Sequence, residues 1–207
     1  LHEALEKKEF VVYYQPKYNL ASKTFISAEA LVRWNSRKYG LVSPAKFIEK
    51  AELGGLIHEL DMYVFEKVCK DLGEMKKDKK RMVPVSVNFS IYEFYSPTFL
   101  DDVDRIIKAS DINPSMVEIE ITETTSQVNT FLTISIVKKL KELGIRILMD
   151  DFGVGYANID SLMKIPFDAV KIDKSFIDRM ANDIKSCIQK FFEKNANRYN
   201  YSVDIIE

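Results

Sequence analysis

An α/β fold built on a mainly parallel sheet is the class this sequence predicts. Three observations predict it. Short apolar runs recur along the 207 residues. Amphipathic stretches of helical period separate them, the pattern of repeated strand–helix units. Polar residues, most of them carboxylates, close the apolar runs. Two architectures satisfy the first two observations: an open doubly wound sheet and a β/α barrel. The dinucleotide fingerprint G-x-G-x-x-G is absent, since "GVG" (Gly153–Gly155) lacks its third glycine.

Taken in order, Val11–Gln15 reads as a strand. A turn at Pro16–Ser22 leads to a second, Phe25–Trp34. Pro44 opens a short helix, "PAKFIEKAE", which stops near Gly54-Gly55. The next helix, Ile57–Met75, carries Leu60, Val64, Val68 and Leu72 on one stripe. The charge run Lys76–Arg81 reads as a solvated loop. "VPVSVNF" is a strand, and Pro97 starts a helix running to Ser110. "MVEIEIT" alternates as a strand does. A helix over Val128–Leu143 stops at Gly144. "IRILMD" is a strand, Ile159–Lys164 a short helix, and "DAVKID" a strand. Ile184–Asn195 is helical, and "SVDIIE" is the last strand. That makes seven strands. A β/α barrel closes with eight, so on the barrel reading one more is expected after Glu207.

Composition narrows the function. An apolar fraction of 46% supplies a sizeable core, and the length suits one domain over 1–207. A net charge of −1 favours neither a nucleic acid polymer nor an anionic membrane. No apolar stretch approaches the roughly 20 residues that span a bilayer, and "LHEALEKKEF" is no signal peptide. Cys69 and Cys187 lie far apart in helix-like stretches, as core thiols do, which fits a reducing, cytoplasmic setting. The chain does not begin with Met, so a piece of a longer protein is expected.

The chemistry lies at the strand ends. Glu29 stands in "SAEALVRW", and Asn88 ends "VSVNF". Glu120 and Glu123 end "VEIEITE", and Asp150 and Asp151 end "RILMDD". Lys171 lies in "AVKID", and Glu207 ends "VDIIE". A single Asp at a strand end is usually a cap or turn residue, but that explanation must then be repeated strand after strand. Adjacent Asp150 and Asp151 repel each other and call for a compensating cation. In a barrel, strand C-termini converge on one face. There these residues form an oxygen donor set for hard cations, Mg²⁺ or Mn²⁺. Two adjacent aspartates suit a pair of ions about 3.5–4 Å apart, an arrangement that serves phosphoester hydrolysis. Lys171 is either an ordinary ion-pair lysine or a stabiliser of phosphate charge. "DFG" alone does not make a kinase, because no Gly-rich loop or H-R-D segment accompanies it. His2 and His58 read as structural or solvent-facing.

All of these strand-end residues but Glu207 fall in seven ordered motifs. These are "YQP" (Tyr14–Pro16), "EAL" (Glu29–Leu31), "SPAKFIEKAE" with "GLI" (Ser43–Ile57), "VSVNFS" (Val85–Ser90), "EITE" (Glu120–Glu123), "DDFGVGY" (Asp150–Tyr156) and "IPFDAVKIDKSF" (Ile165–Phe176). In these the chain resembles the EAL family of cyclic di-GMP phosphodiesterases over nearly its whole length. The resemblance implies a TIM-like barrel whose first strand runs antiparallel, with a C-terminal strand and helix absent from this chain. It implies hydrolysis of cyclic di-GMP to linear pGpG, lowering a bacterial second messenger.

By position, the resemblance makes Glu29, Asn88, Glu120 and Asp150 ligands of one ion. Asp150 bridges to a second, which Asp151 also holds. Lys171 stands near the attacking water, and Glu207 helps hold that water or the second ion. Glu123 props the Asp-Phe-Gly loop. Gln15, Leu31 and Arg33 contact substrate, Arg33 through a phosphate. A homodimer, no membrane contact by the domain itself, and a place in a larger, membrane-anchored signalling protein complete the expectation. Val154 departs from the family's usual threonine and removes a hydroxyl from the loop, and Asn35-Ser36 replaces a more usual polar-Pro pair. A receptor that binds cyclic di-GMP without cutting it is therefore the alternative. A protein-interaction domain indifferent to nucleotide is a third reading, and Gln15, Arg33 and Lys171 speak against it.

Overall fold

The computed structural model describes residues 1–122, 130–154, 163–179 and 202–205. It divides into two compact units, Leu1–Glu118 and Ile119–Glu207.

In the first unit, helix α1 (His2–Glu6) leads into β1 (Phe10–Asn19), which pairs antiparallel with β2 (Thr24–Ser36). Asn19 closes the hairpin by accepting a hydrogen bond from the Ser22 amide at 2.7 Å. A three-residue strand, β3 (Gly40–Val42), folds back antiparallel on β2; sequence pattern did not announce it. The predicted helix at Pro44 divides into a 3₁₀ turn (Pro44–Lys46) and α2 (Ile48–Leu53). Helix α3 (Ile57–Lys77) buries the predicted stripe of Leu60, Val64, Val68 and Leu72. It takes the first lysines of the charge run into its last turn, where they suit the helix dipole. Strand β4 (Val85–Asn88) lies parallel to β2. A 3₁₀ turn (Ile91–Tyr95) and α4 (Phe99–Ser110) follow. The hydrophobic core gathers Ala4, Phe10, Phe47, Ala51, Ile57 and Leu60, with Trp34 packed against them. The Phe10 and Phe47 rings meet edge-on at 5.4 Å.

Strand β5 (Val117–Thr122) begins at the end of the first unit and continues in the second. The second unit continues with α5 (Thr130–Glu142), β6 (Arg146–Phe152), β7 (Ala169–Ile172), α6 (Lys174–Arg179) and β8 (Ser202–Ile205). Strands β6, β7 and β8 run parallel. Helix α5 ends as predicted at Gly144. There φ is +90°, and the Gly144 and Ile145 amides donate back to the Lys141 and Leu140 carbonyls. Asp168, before β7, accepts from the Ile147 amide at 2.8 Å and from Lys141 Nζ at 2.6 Å, which ties β7 to the start of β6. The predicted helix Ile184–Asn195 and most of Ile159–Lys164 lie outside the described residues.

Among the described residues no helix is long and apolar enough to cross a membrane.

Candidate active site

In the first unit the β1–β2 register sets Gln15 directly opposite Glu29, Tyr13 opposite Leu31, and Val11 opposite Arg33. Alternation puts Glu29, Leu31 and Arg33 on one face of β2, and Gln15 shares that face as the cross-strand partner of Glu29. Parallel pairing sets Glu29 beside Ser86, and the Asn88 side-chain amide donates to Glu29 Oε1 at 3.0 Å. Arg33 donates to the Val32 carbonyl at 2.9 Å.

The loop after Asn88 is gripped by acids the sequence reading passed over. Asp61 of α3 accepts the Ser90 amide at 2.8 Å, and Glu52 of α2 accepts the Ser90 hydroxyl at 3.1 Å. Glu93 is fully buried and meets His58 Nδ1 at 2.7 Å, while its Oε1 has no hydrogen-bond partner. Burial drives the Asp61 carboxyl well above the usual carboxylate range; the Ser90 amide opposes that, and Glu93 and Glu52 reinforce it. Burial also raises Glu93, against the pull of His58. The signal available in the sequence was an acid on the otherwise apolar face of α3, one residue after Leu60.

In the second unit Lys171, 3% exposed, extends its ammonium between two carboxylates. It donates to Glu120 Oε2 at 2.7 Å and to Asp150 Oδ2 at 2.9 Å. The acid oxygens of Glu120 and Asp150 lie within 4.8 Å of one another. Burial pushes the Asp150 carboxyl up to about 6; Lys171 pulls it down, and Glu120 and Asp151 push it further up. The compensating charge that the two aspartates demand is thus present in part as Lys171. Carboxylate oxygens this close together are the donor type a hard divalent cation takes.

The Asp150-Asp151 pair owes its presentation to a bulge. Met149 pairs with Val170 and Phe152 with Ile172, so β6 spends one residue more than β7 across this step. A regular strand sends adjacent side chains to opposite faces; the extra residue breaks that alternation. Asp151 takes a left-handed φ of +56°, and Gly153 follows at +94°. Asp and Gly tolerate this region best. The Asp151 amide donates to Asp150 Oδ1 at 2.9 Å. Asp173, just past β7 and not singled out from sequence, accepts the Ser175 amide at 2.8 Å and caps α6.

Each unit therefore brings together its share of the predicted residues: Gln15, Glu29, Leu31, Arg33 and Asn88 in the first, Glu120, Asp150, Asp151 and Lys171 in the second. Glu123 and Glu207 lie outside the described residues.

Mixed, mostly parallel strands with helices between them define a TIM-like β/α protein. The particular family follows from comparison: the EAL domain model matches residues 1–192, and the chain belongs to the EAL domain family. It is 34% identical over 177 residues to the cyclic di-GMP phosphodiesterase NbdA of Pseudomonas aeruginosa, a match covering 86% of this chain and 23% of that protein. It is 33% identical over 177 residues to the cyclic di-GMP phosphodiesterase PdeR of Escherichia coli, covering 86% and 26%. The chain spans about a quarter of these curated relatives. Its structure matches that of the PaMucR phosphodiesterase in complex with c-di-GMP at a TM-score of 0.88 and 28% identity, over 100% of this chain and 85% of that one. The antiparallel β1–β2 pair agrees with the expectation from sequence.

Proposed function

We propose that the chain, as one EAL domain over residues 1–207, hydrolyses cyclic di-GMP to linear pGpG with two divalent cations, Mg²⁺ or Mn²⁺. The observation that carries this is the Glu120–Lys171–Asp150 group, in which a buried ammonium bridges two carboxylates at the ends of their strands. Glu29, Asn88, Glu120 and Asp150 hold one ion in this reading, and Asp150 and Asp151 the other. Bound cations of this kind polarise a phosphodiester and make water a better nucleophile. Lys171 donates toward the reacting oxygens, its orientation kept by the two carboxylates. Gln15 and Leu31 border the substrate, and Arg33 offers its planar fork to a phosphate. Glu123 steadies the Asp-Phe-Gly loop, and Glu207 helps hold the water or the second ion. The domain acts as a homodimer, in the cytoplasm, within a larger and membrane-anchored signalling protein.

Val154 supports a second reading. Its exposed side chain brings no hydroxyl to the loop after Asp151, and a receptor that binds without turnover needs no finely ordered loop. One experiment separates the two: full-length protein is incubated with cyclic di-GMP and Mn²⁺ or Mg²⁺, and pGpG is followed by chromatography. Turnover is expected, with Asp150→Asn about 1,000-fold slower, which is roughly 4 kcal/mol of transition-state stabilisation. Product no faster than in Asp150→Asn, with calorimetric binding intact, establishes the receptor instead.

A further inference from the structure

The loop that carries Asp150 and Asp151 is held in an unfavourable backbone conformation, and the side chain best placed to hold it is Phe176. Asp151 at φ +56° is uncommon for a residue with a side chain. Such a conformation persists where its surroundings over-determine it. Three contacts do so here. The Val154 amide closes a turn onto the Asp151 carbonyl at 3.2 Å, and the Asp173 amide reaches the Phe152 carbonyl at 3.2 Å. The third is the Phe176 ring. It meets Phe152 edge-on at 6.1 Å and 66°. It also lies so close over Gly153 that a methyl there would fall 2.5 Å from its Cγ and Cδ2. Gly153 is thus required twice, for its φ of +94° and for the space the ring occupies.

Phe176 is itself fixed. Its amide bonds to the Asp173 carbonyl at 3.1 Å, at the start of the helix that Asp173 caps. The peptide Asp150–Gly153 is therefore clamped to the segment that follows Lys171.

From this geometry we propose that Phe176 is a positioning residue, whose ring seats the turn through Asp151 and Gly153 and so sets how the two aspartates present oxygen to a divalent cation. The proposal rests on the metal-dependent reading above. Groups that orient the ligands of a metal, without touching it, change its affinity about 10–100-fold when removed.

The test is Mn²⁺ binding to full-length protein, by calorimetry and electron paramagnetic resonance, without substrate. Phe176→Leu should weaken binding about 10–100-fold. Phe176→Tyr, which keeps the ring, should bind as wild type does. Leu140→Ala, a core truncation in α5 of the same unit, should lower the melting temperature and leave ion affinity alone. If Phe176→Leu does not fold, Phe176→Met, which fills the space without a ring, takes its place and should lose affinity to the same degree. Wild-type affinity in Phe176→Leu or its substitute, or an equal loss in Leu140→Ala, overturns the positioning role while hydrolysis stands. Wild-type protein that neither binds Mn²⁺ nor makes pGpG overturns the hydrolase reading, and this one with it.

Discussion

Asp61 and Glu93 in the first unit, and Glu120 and Asp150 in the second, are all carboxylates largely withdrawn from water, yet their surroundings differ. Asp61 faces a backbone amide and two other acids, and Glu93 faces a histidine. Both are pushed toward the neutral form. Burial raises Asp150 too, to about 6, but Glu120 and Asp150 share the Lys171 ammonium, which pulls Asp150 back down. The contrast separates two uses of a buried acid. The first pair spends its oxygens on holding chain: the Ser90 amide just past Asn88, and the ring of His58. The second turns its oxygens on a shared cation, as the ligands of a metal do.

The largest effect that can break this contrast is at Lys171. Lys171→Met leaves two buried acids without their shared cation, and in chelator-treated protein it should cost about 3–5 kcal/mol of unfolding free energy. Added Mn²⁺ should restore much of that loss, because a bound ion supplies the missing positive charge and stabilises the folded state by mass action. Urea melts with and without Mn²⁺ measure both. A Lys171→Met protein as stable as wild type in chelator would mean that the second cluster is not charge-compensated by this lysine, and the comparison would fail.

How far the sequence reveals these two clusters follows the same division. Strand-end acids stand out because they interrupt apolar runs, so Glu120, Asp150 and Asp151 were visible. The bulge between Met149 and Phe152 was not, since a single extra residue leaves no mark on a period-2 pattern. Helix α3 was legible to within two residues at its C-terminus because four buried residues repeat at helical spacing. Strand β3, three residues long, and helix α6, six, are too short to show a period. Asp61, Glu93 and Glu52 looked like the polar faces of helices and turns. Only the fold reveals that they converge on His58 and Ser90, because sequence spacing carries no information about contacts across elements.

The middle-sized effect tests the first cluster. His58→Ala removes the hydrogen bond to Glu93 Oε2 and leaves a buried carboxyl further unsatisfied, at an expected cost of about 1–3 kcal/mol. Glu93→Gln made in the same background should recover part of it, since the amide carries no charge to bury. A loss below about 0.5 kcal/mol, within the error of additivity, would mean that the two residues are not energetically coupled.

The smallest effect is also the sharpest, because it reads a slope. Asp61 in the folded chain titrates above its unfolded value of 3.8. Its contribution to stability is therefore complete below about that pH and is lost as pH rises through the raised folded value. Asp61→Asn retains a side-chain oxygen for the Ser90 amide but does not titrate. Relative to wild type, the variant should gain stability steadily from acid toward neutrality, whatever fixed penalty the new amide brings. Urea unfolding across that range gives the difference at each pH. A flat difference would mean that Asp61 titrates alike folded and unfolded, and is no more sheltered than a surface acid. A difference of opposite slope would mean that the Ser90 amide outweighs burial and holds Asp61 in its charged form.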